Sequence, residues 1–301
     1  MTISGNVPKH LVVGARTGFL SAVENNQYLD YQKVAEIIPV TAKATELVDL
    51  GAAPMPVENK GTVQARSFIE KTLEVKPTDW ELTVHISRNA LQDDQTSSLD
   101  RKVRSAGEQF LKHIDKRVFT VLNGGDGTTY GLCYDGQEFF DSDHVDKGGE
   151  YQTNQDNEYA LALSLDNFKT VRVAARKFKD DQGEYVNNNH TQLVVPPDLE
   201  DLAIQICNNP QAYDTANREI NPYNGRMMDP IIRPELDSTA WHLLATSGSV
   251  KPLLVVMREE PNLQASWFDP TQREGGFYYF KYFARYEVYY GDWRLAIQGN
   301  T

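Results

Sequence analysis

The residues best suited to chemistry lie in one acidic stretch, Cys133-Tyr134-Asp135-Gly136-Gln137-Glu138-Phe139-Phe140-Asp141-Ser142-Asp143-His144. Asp135, Asp141, Asp143 and His144 offer hard oxygens and an imidazole, the ligand types of a divalent metal, and Asp126 is close by in sequence. A metal-dependent hydrolase using those four residues is one reading. Against it, neighbours such as Asp143 and His144 point to opposite faces of a strand, and no second spaced ligand pair reinforces them. The plainer reading is a solvated, turn-rich loop, so no catalytic, cofactor-binding or metal site is assigned.

Other motifs are weaker. No Gly-x-Ser-x-Gly nucleophile occurs. Asn123-Gly124-Gly125-Asp126-Gly127-Thr128 is Gly-rich, but it follows a helical pattern and lacks the Lys of a phosphate cradle, so it reads as a helix stop. Asn189-His190-Thr191 fits a glycosylation sequon with nothing else to suggest secretion. Lys169, Arg172, Arg176 and Lys179 form a basic stripe that could dock an acidic partner, with a solvated helix face as the plainer reading. The segment Trp267–Trp293 holds 12 of the chain's 31 aromatics. A sugar-binding or base-stacking platform is conceivable there. Too few cations interleave for nucleic acid, and aromatics at period two are more often packing pairs or an interface.

Composition narrows the classes. The chain has 301 residues, with 30 Lys and Arg against 42 Asp and Glu, a net charge of −12. The summed field has the wrong sign for sequence-independent DNA binding by bulk charge. Exchanging Tyr for Gly in the hydrophobic set puts the apolar share at roughly 42%, a little under the globular norm, as if a partner buries part of the surface. Cys133 and Cys207 form no Cys-x-x-Cys pair, which fits a reducing compartment. Met1–His10 lacks a signal pattern, and the longest aliphatic runs are far short of a bilayer span, so the chain reads as soluble, cytoplasmic and without a membrane partner.

The elements that would position these residues follow from periodicity. A polar arm leads to a helix around Tyr28–Ile38, closed by Pro39. Leu50–Gly61 has two Pro and two Gly in twelve residues, so residues 48–75 read as a protruding loop between hairpin arms. Trp80, Leu82, Val84 and Ile86 alternate with polar residues as a strand with one buried face. Leu99, Val103, Ala106, Phe110, Ile114, Val118 and Val121 recur at steps of three and four, predicting a helix over 98–123, about 39 Å long. A second helix spans 165–179 with Ser164 as cap and Phe168, Val171, Ala175 and Phe178 inward. Leu193–Val195 is a short strand stopped by Pro196-Pro197, and Asp198 caps a third helix. Leu253–Met257 reads as a central strand buried on both faces. Tyr278, Phe280, Tyr282, Ala284, Tyr286, Val288 and Tyr290 share one face of a long ribbon. Gly291-Asp292 suits a two-residue turn into a further strand. The class is α+β.

Four segments resemble the Mu-type major head subunit family of tailed bacteriophages. They are Ile86-Ser87-Arg88 with Gln92-Asp93-Asp94; Cys133-Tyr134-Asp135-Gly136 with Phe139-Phe140 and His144; Trp241–Ala245 with Lys251-Pro252-Leu253-Leu254 and Arg258-Glu259; and Phe283-Ala284-Arg285-Tyr286 with Tyr290-Gly291 and Trp293. Their order and spacing cover roughly residues 20–298. The resemblance implies the Hong Kong 97-type capsid fold: an N-terminal arm (1–45), an extended hairpin loop (46–85), a peripheral domain with a long spine helix (86–123 and 261–301) and an axial domain (mostly 124–260). It implies a non-enzymatic shell subunit of the virion, the icosahedral phage head, assembled in a bacterial cytoplasm. Its partners would be copies of itself as pentamers and hexamers, a separate scaffolding protein, a portal, a possible decoration protein, and packaged DNA bound without sequence specificity. Candidate assembly residues are Pro54, Met55, Pro56, Lys60 and Arg66 in the loop, Lys169, Arg172 and Arg176 on the basic stripe, and Tyr279 and Phe283 on the ribbon. Covalent cross-linking through Lys60 is not expected, because no partner motif is visible. An encapsulin-like compartment shell is the alternative on the same fold, and the acid excess suggests an inner wall that repels DNA.

Overall fold

The structure is a computed structural model. It describes residues 13, 14, 17, 30–42, 44–50, 70–93, 98–145, 151, 153–211, 220–248, 250–268 and 277–301. Two sheets and one long helix carry most of the core.

The first sheet has the order β1-β9-β10-β4, from β1 (Ala35–Pro39), β9 (Leu253–Phe268), β10 (Phe277–Tyr290) and β4 (Thr78–Ser87). β10 lies antiparallel to both β9 and β4, while β1 runs parallel to the start of β9. The ribbon alternates as expected: every even residue from Tyr278 to Tyr290 is buried and every odd one is half-buried. The buried face lies against α3 (Ser98–Asn123), whose inward residues Val103, Phe110, Ile114, Val118 and Val121 share one core with it.

Three tyrosine hydroxyls fasten the ribbon to that helix. Tyr282 donates to the Val103 carbonyl at 2.6 Å, and Tyr290 to those of Val121 and Gly124 at 3.0 and 3.1 Å. Tyr286 lies 2.6 Å from His113 Nδ1. Eight strand residues from Tyr282 to Tyr290 rise about 27 Å, and eighteen helical residues from Val103 to Val121 also rise about 27 Å. A tyrosine at every fourth strand position therefore keeps step with the helix along its length.

The expected helix over Tyr28–Ile38 is corrected. Among the described residues of that stretch only α1 (Tyr31–Val34) is helical, and Ala35–Pro39 pairs with Leu253–Met257. Ile37 and Ile38 are β-branched and favour the strand, and Pro39 falls at an edge-strand end where its missing N–H costs no ladder bond. α1 is anchored on the long helix: the Tyr31 N–H donates to Asp115 at 2.9 Å. Arg233 pairs with Asp30 at 2.5 Å and with Asp115, and its guanidinium lies 4.3 Å from the Phe119 ring centre.

β2 (Thr45–Leu50) and β3 (Glu70–Val75) form the two arms of a hairpin. Its base packs Leu47, Leu73 and Val75 against Val40, Val256 and Tyr289. A short helix, α2 (Arg88–Asp93), follows β4.

The second sheet has the order β5-β11-β8-β6-β7, from β5 (Glu158–Tyr159), β6 (Gln192–Val195), β7 (Ile231–Ile232), β8 (Trp241–Leu244) and β11 (Ala296–Gly299). α4 (Leu165–Ala175) and α5 (Glu200–Asn208) join its core through Phe168, Val171, Ala175, Ala203 and Ile206. Ser164 caps α4, accepting from the Asn167 N–H at 3.2 Å. Asp198 does not cap α5: it lies inside a 3-10 turn over Pro197–Leu199, and Leu199 occupies the cap position. Pro at the first helical position starts a tight turn there ahead of the helix.

Gly291-Asp292 is not a hairpin turn. The Gly291 N–H donates to Pro252 O at 2.9 Å, and a Cβ at Gly291 would lie 2.8 Å from Lys251 O. Asp292 caps a 3-10 turn over Trp293–Leu295, and β11 then joins the second sheet beside β8. The chain thus ends in the second layer rather than the first. The expected division at 260/261 falls inside β9, and residues 296–299 pair within the five-stranded sheet.

Candidate assembly surface

The acidic stretch is a folded clamp. Gly136, at φ +82°, closes a turn in which the Cys133 N–H donates to Gln137 O at 2.8 Å. The turn aims Asp135 at His144: Asp135 Oδ2 lies 2.6 Å from His144 Nδ1, with both side chains fully buried. The His144 ring stacks on Trp293, centroids 4.3 Å apart and 5° from parallel. Phe139 stacks on Tyr290 at 4.6 Å. Asn157, also fully buried, accepts from the Asp141 N–H at 2.9 Å. Its amide donates to the carbonyls of Phe139, Trp293 and Ala296. The loop is thereby locked to the crossover between the two sheets.

This corrects both readings of the stretch. Asp141 accepts from the Asp143 N–H, and Asp143 from Asn154 at 2.8 Å, so neither joins Asp135 and His144. Among the described residues no three His, Cys, Asp or Glu side chains converge as a metal site. Nor is the loop simply solvated, since Cys133, Phe139 and Phe140 are buried as well. Asn157 was missed because nothing local in sequence marks it.

The basic stripe lies on and just beyond α4 and is largely engaged within the chain. Lys169 pairs with Asp166 at 3.1 Å. Arg172 and Arg176 both donate to Asn189 Oδ1, at 3.4 and 2.9 Å, and Arg172 lies over the Tyr223 ring. Burial, with help from the Arg176 charge, lowers the Arg172 pKa. The Lys179 ammonium sits 4.7 and 5.1 Å from the rings of Tyr151 and Tyr185. Val173 and Tyr185 are 54% and 64% exposed, so apolar surface accompanies these cations.

Tyr279 and Phe283 lie half-buried on the face of β10 turned away from the long helix. Tyr279 is opposite His85, and Phe283 is opposite Glu81. Cross-strand pairs Lys281–Glu81 and Arg285–Asp79 flank them. This face therefore offers aromatic rings among ion pairs whose charges already meet each other. Pro54, Met55, Pro56, Lys60 and Arg66 lie outside the described residues, and the five described candidates sit on two separate elements, α4 with the residue after it and β10.

The phage capsid protein family matches residues 70–297, which hold the long helix and the strands of both sheets apart from β1. The chain belongs to the phage capsid protein family. Two curated relatives align over shorter stretches. The Mu-like prophage FluMu major head subunit of Haemophilus influenzae is 27% identical over 125 residues, 42% of this chain and 40% of that protein. The major capsid protein of Escherichia phage Mu is 27% identical over 136 residues, 45% of this chain and 43% of that protein. The matched stretches thus span less than half of each relative. The procapsid subunit of bacteriophage JBD30 shares the fold at TM-score 0.55 and 22% identity, over 98% of this chain and 76% of that one.

In this capsid protein the Hong Kong 97-type fold accounts for the layout: a long helix lying along a sheet, a two-stranded hairpin packed by its base against that sheet, and a second sheet beyond the crossover. Among the described residues no helix is long and apolar enough to cross a membrane.

Proposed function

We propose that the chain is the major head subunit of a tailed phage, a non-enzymatic protein of the virion that assembles with copies of itself into the icosahedral shell around double-stranded DNA. Family membership over residues 70–297 carries this reading. The mechanics support it. A sheet fastened to a 26-residue helix at three points along about 27 Å is a stiff plate. The β2–β3 hairpin and the exposed side of α4 supply edges that neighbours can hold. At about 25 cal/mol per Å² of apolar burial, less the cost of association, each contact stays weak enough to correct errors, and the shell gains strength through multiplicity.

On this reading residues before β1 form the arm, β2 and β3 the extended loop, and the four-stranded sheet with α3 the peripheral domain. The five-stranded sheet with α4 and α5 forms the axial domain. Lys169, Arg172, Arg176, Tyr279 and Phe283 would meet neighbouring subunits, as would Pro54, Met55, Pro56, Lys60 and Arg66. A separate scaffolding protein, a portal and a decoration protein complete the partners. The test is expression alone and with a candidate scaffolding protein, followed by electron microscopy of the particles. Closed shells or capsomers are expected; monomers alone would overturn the proposal.

A further inference from the structure

Three guanidinium groups crowd one end of α4. Arg172 and Arg176 share a neutral acceptor, Asn189 Oδ1, at 3.4 and 2.9 Å, and Arg172 lies 5.2 Å from the Tyr223 ring centre. Arg226 joins them through a turn in which its N–H donates to Tyr223 O at 2.9 Å. Its charge reaches Arg172: burial and the Arg176 charge lower the Arg172 pKa, and Arg226 adds to them. The same field acts on His190, whose pKa burial lowers to about 4, with Arg172 and Arg176 acting in the same direction.

Among the described residues none of these three arginines meets a carboxylate. The nearby acids are engaged elsewhere. Asp166 holds Lys169 at 3.1 Å, so that lysine is left out, and Asp229 accepts from Asn208 at 3.0 Å. Folding alone gives no reason for the cluster. Cations at the end of α4 suit the helix dipole, but Arg226 belongs to no helix, and like charges beside a half-buried Arg172 oppose one another. A guanidinium carries five N–H donors, and one shared amide oxygen leaves most of them open. The cluster is short of an anion. Val173, 54% exposed, lies one turn before Arg176 and Lys177 on the same face.

The chain carries a matching set of carboxylates. Asp198, Glu200 and Asp201, at the start of α5, are exposed, and among the described residues none of them is in an ion pair. Ile204, 42% exposed, follows Glu200 and Asp201 by one turn on the same face. These acids suit their own helix N-terminus, so they are no site by themselves. It is the arginine cluster that lacks a counterpart.

We infer that the cluster of Arg172, Arg176 and Arg226 in one copy holds the acidic start of α5 in a second copy, with Val173 seated against Ile204. The inference rests on the proposed function, which surrounds the chain with copies of itself, and goes beyond it by naming both halves of one contact. The two patches are different surfaces of one chain. The contact is therefore head-to-tail, the kind that closes into a ring when its rotation divides the circle. Arginine–carboxylate forks fix the orientation of neighbours, while the exposure of the charges keeps each contact weak.

The test is sedimentation velocity of the full-length chain at about 0.1 and about 1 M salt, between which the screening length falls from about 10 to about 3 Å. Wild type should associate into rings, less so at the higher salt. Arg176→Glu/Arg226→Glu and Glu200→Lys/Asp201→Lys should each weaken association at least about tenfold, the effect of two exposed ion pairs. The fourfold variant carrying both reversals should regain it. Where a reversal lowers the melting midpoint, Arg226→Gln replaces it and should weaken association about threefold. A chain monomeric at both salts, reversals that associate like wild type, or a fourfold variant no better than either double variant would overturn the inference. Particle formation with a candidate scaffolding protein is scored separately by electron microscopy. Shells from both reversal variants refute this contact alone, and charge-dependent rings without shells refute the shell reading alone.

Discussion

Replacing Tyr282, Tyr286 and Tyr290 by Phe tests whether the ribbon and the long helix act as one plate. Each substitution keeps the ring and removes one hydroxyl. All three side chains are buried, Tyr282 and Tyr286 completely. A hydrogen bond of this kind contributes about 1 kcal/mol net. Val103 sits inside the helix, where its carbonyl can keep its backbone bond, which holds its cost near that figure. The fastenings are about 14 Å apart along the strand, far enough for their effects to add. The triple variant should lose about 3 kcal/mol. In a chain of this size that lowers the melting midpoint by about 6 °C, at about 2 °C per kcal/mol. The assay is urea unfolding of the unassembled subunit followed by tryptophan fluorescence, with the denaturant slope unchanged. Tyr185→Phe, at a ring 64% exposed, is the control and should change stability by less than about 0.5 kcal/mol. A triple variant as stable as wild type, or a control that costs as much, would refute the reasoning.

Further outcomes follow from other buried contacts. In Gly299→Ala the new Cβ would lie 2.2 Å from the Trp241 ring, so overpacking should cost about 1–3 kcal/mol, read as a lowered melting midpoint. Arg233→Met leaves Asp115 buried without its cation and should cost about 3–5 kcal/mol, with Asp115→Asn in the same chain restoring part of it in a double-mutant cycle. Burial lowers the His242 pKa from 6.5 to about 3. The unfolded chain therefore takes up the proton as pH falls through 6.5 and the folded chain does not, so stability is lost progressively between pH 6.5 and about 3. His190, lowered to about 4, acts in the same direction. His242→Leu should flatten unfolding free energy against pH over that window, and an unchanged profile would assign the acid sensitivity elsewhere.

Much of the fold was legible where burial imposes a strict period. The even residues of Phe277–Tyr290 and the inward face of Ser98–Asn123 each carry their own signal. So does Leu253–Met257, whose run of apolar residues marks a central strand. What escaped was set by partners far along the chain. Ala35–Pro39 resembles the tail of a helix until its pairing partner, over 200 residues later, is known. Gly291-Asp292 has the chemistry of a hairpin turn, yet the carbonyls of Lys251 and Pro252 fix its path. The tyrosines at 282, 286 and 290 were visible at steps of four, but their role needs the helix rise beside the strand rise. Asp135 and His144 were picked out for metal chemistry and instead hold each other. The resemblance supplied the family, and the residues by themselves supplied the layers.

Electron microscopy of the full-length chain, expressed with its candidate scaffold and taken from the void fraction of a sizing column, tests the shell-forming role most directly. The expected result is closed icosahedral particles, or pentamers and hexamers, in which the long helix and its ribbon repeat as one rigid plate. A subunit that stays monomeric with the scaffold present would contradict it, and shells filled with an enzyme cargo instead of DNA would move the chain to the compartment reading.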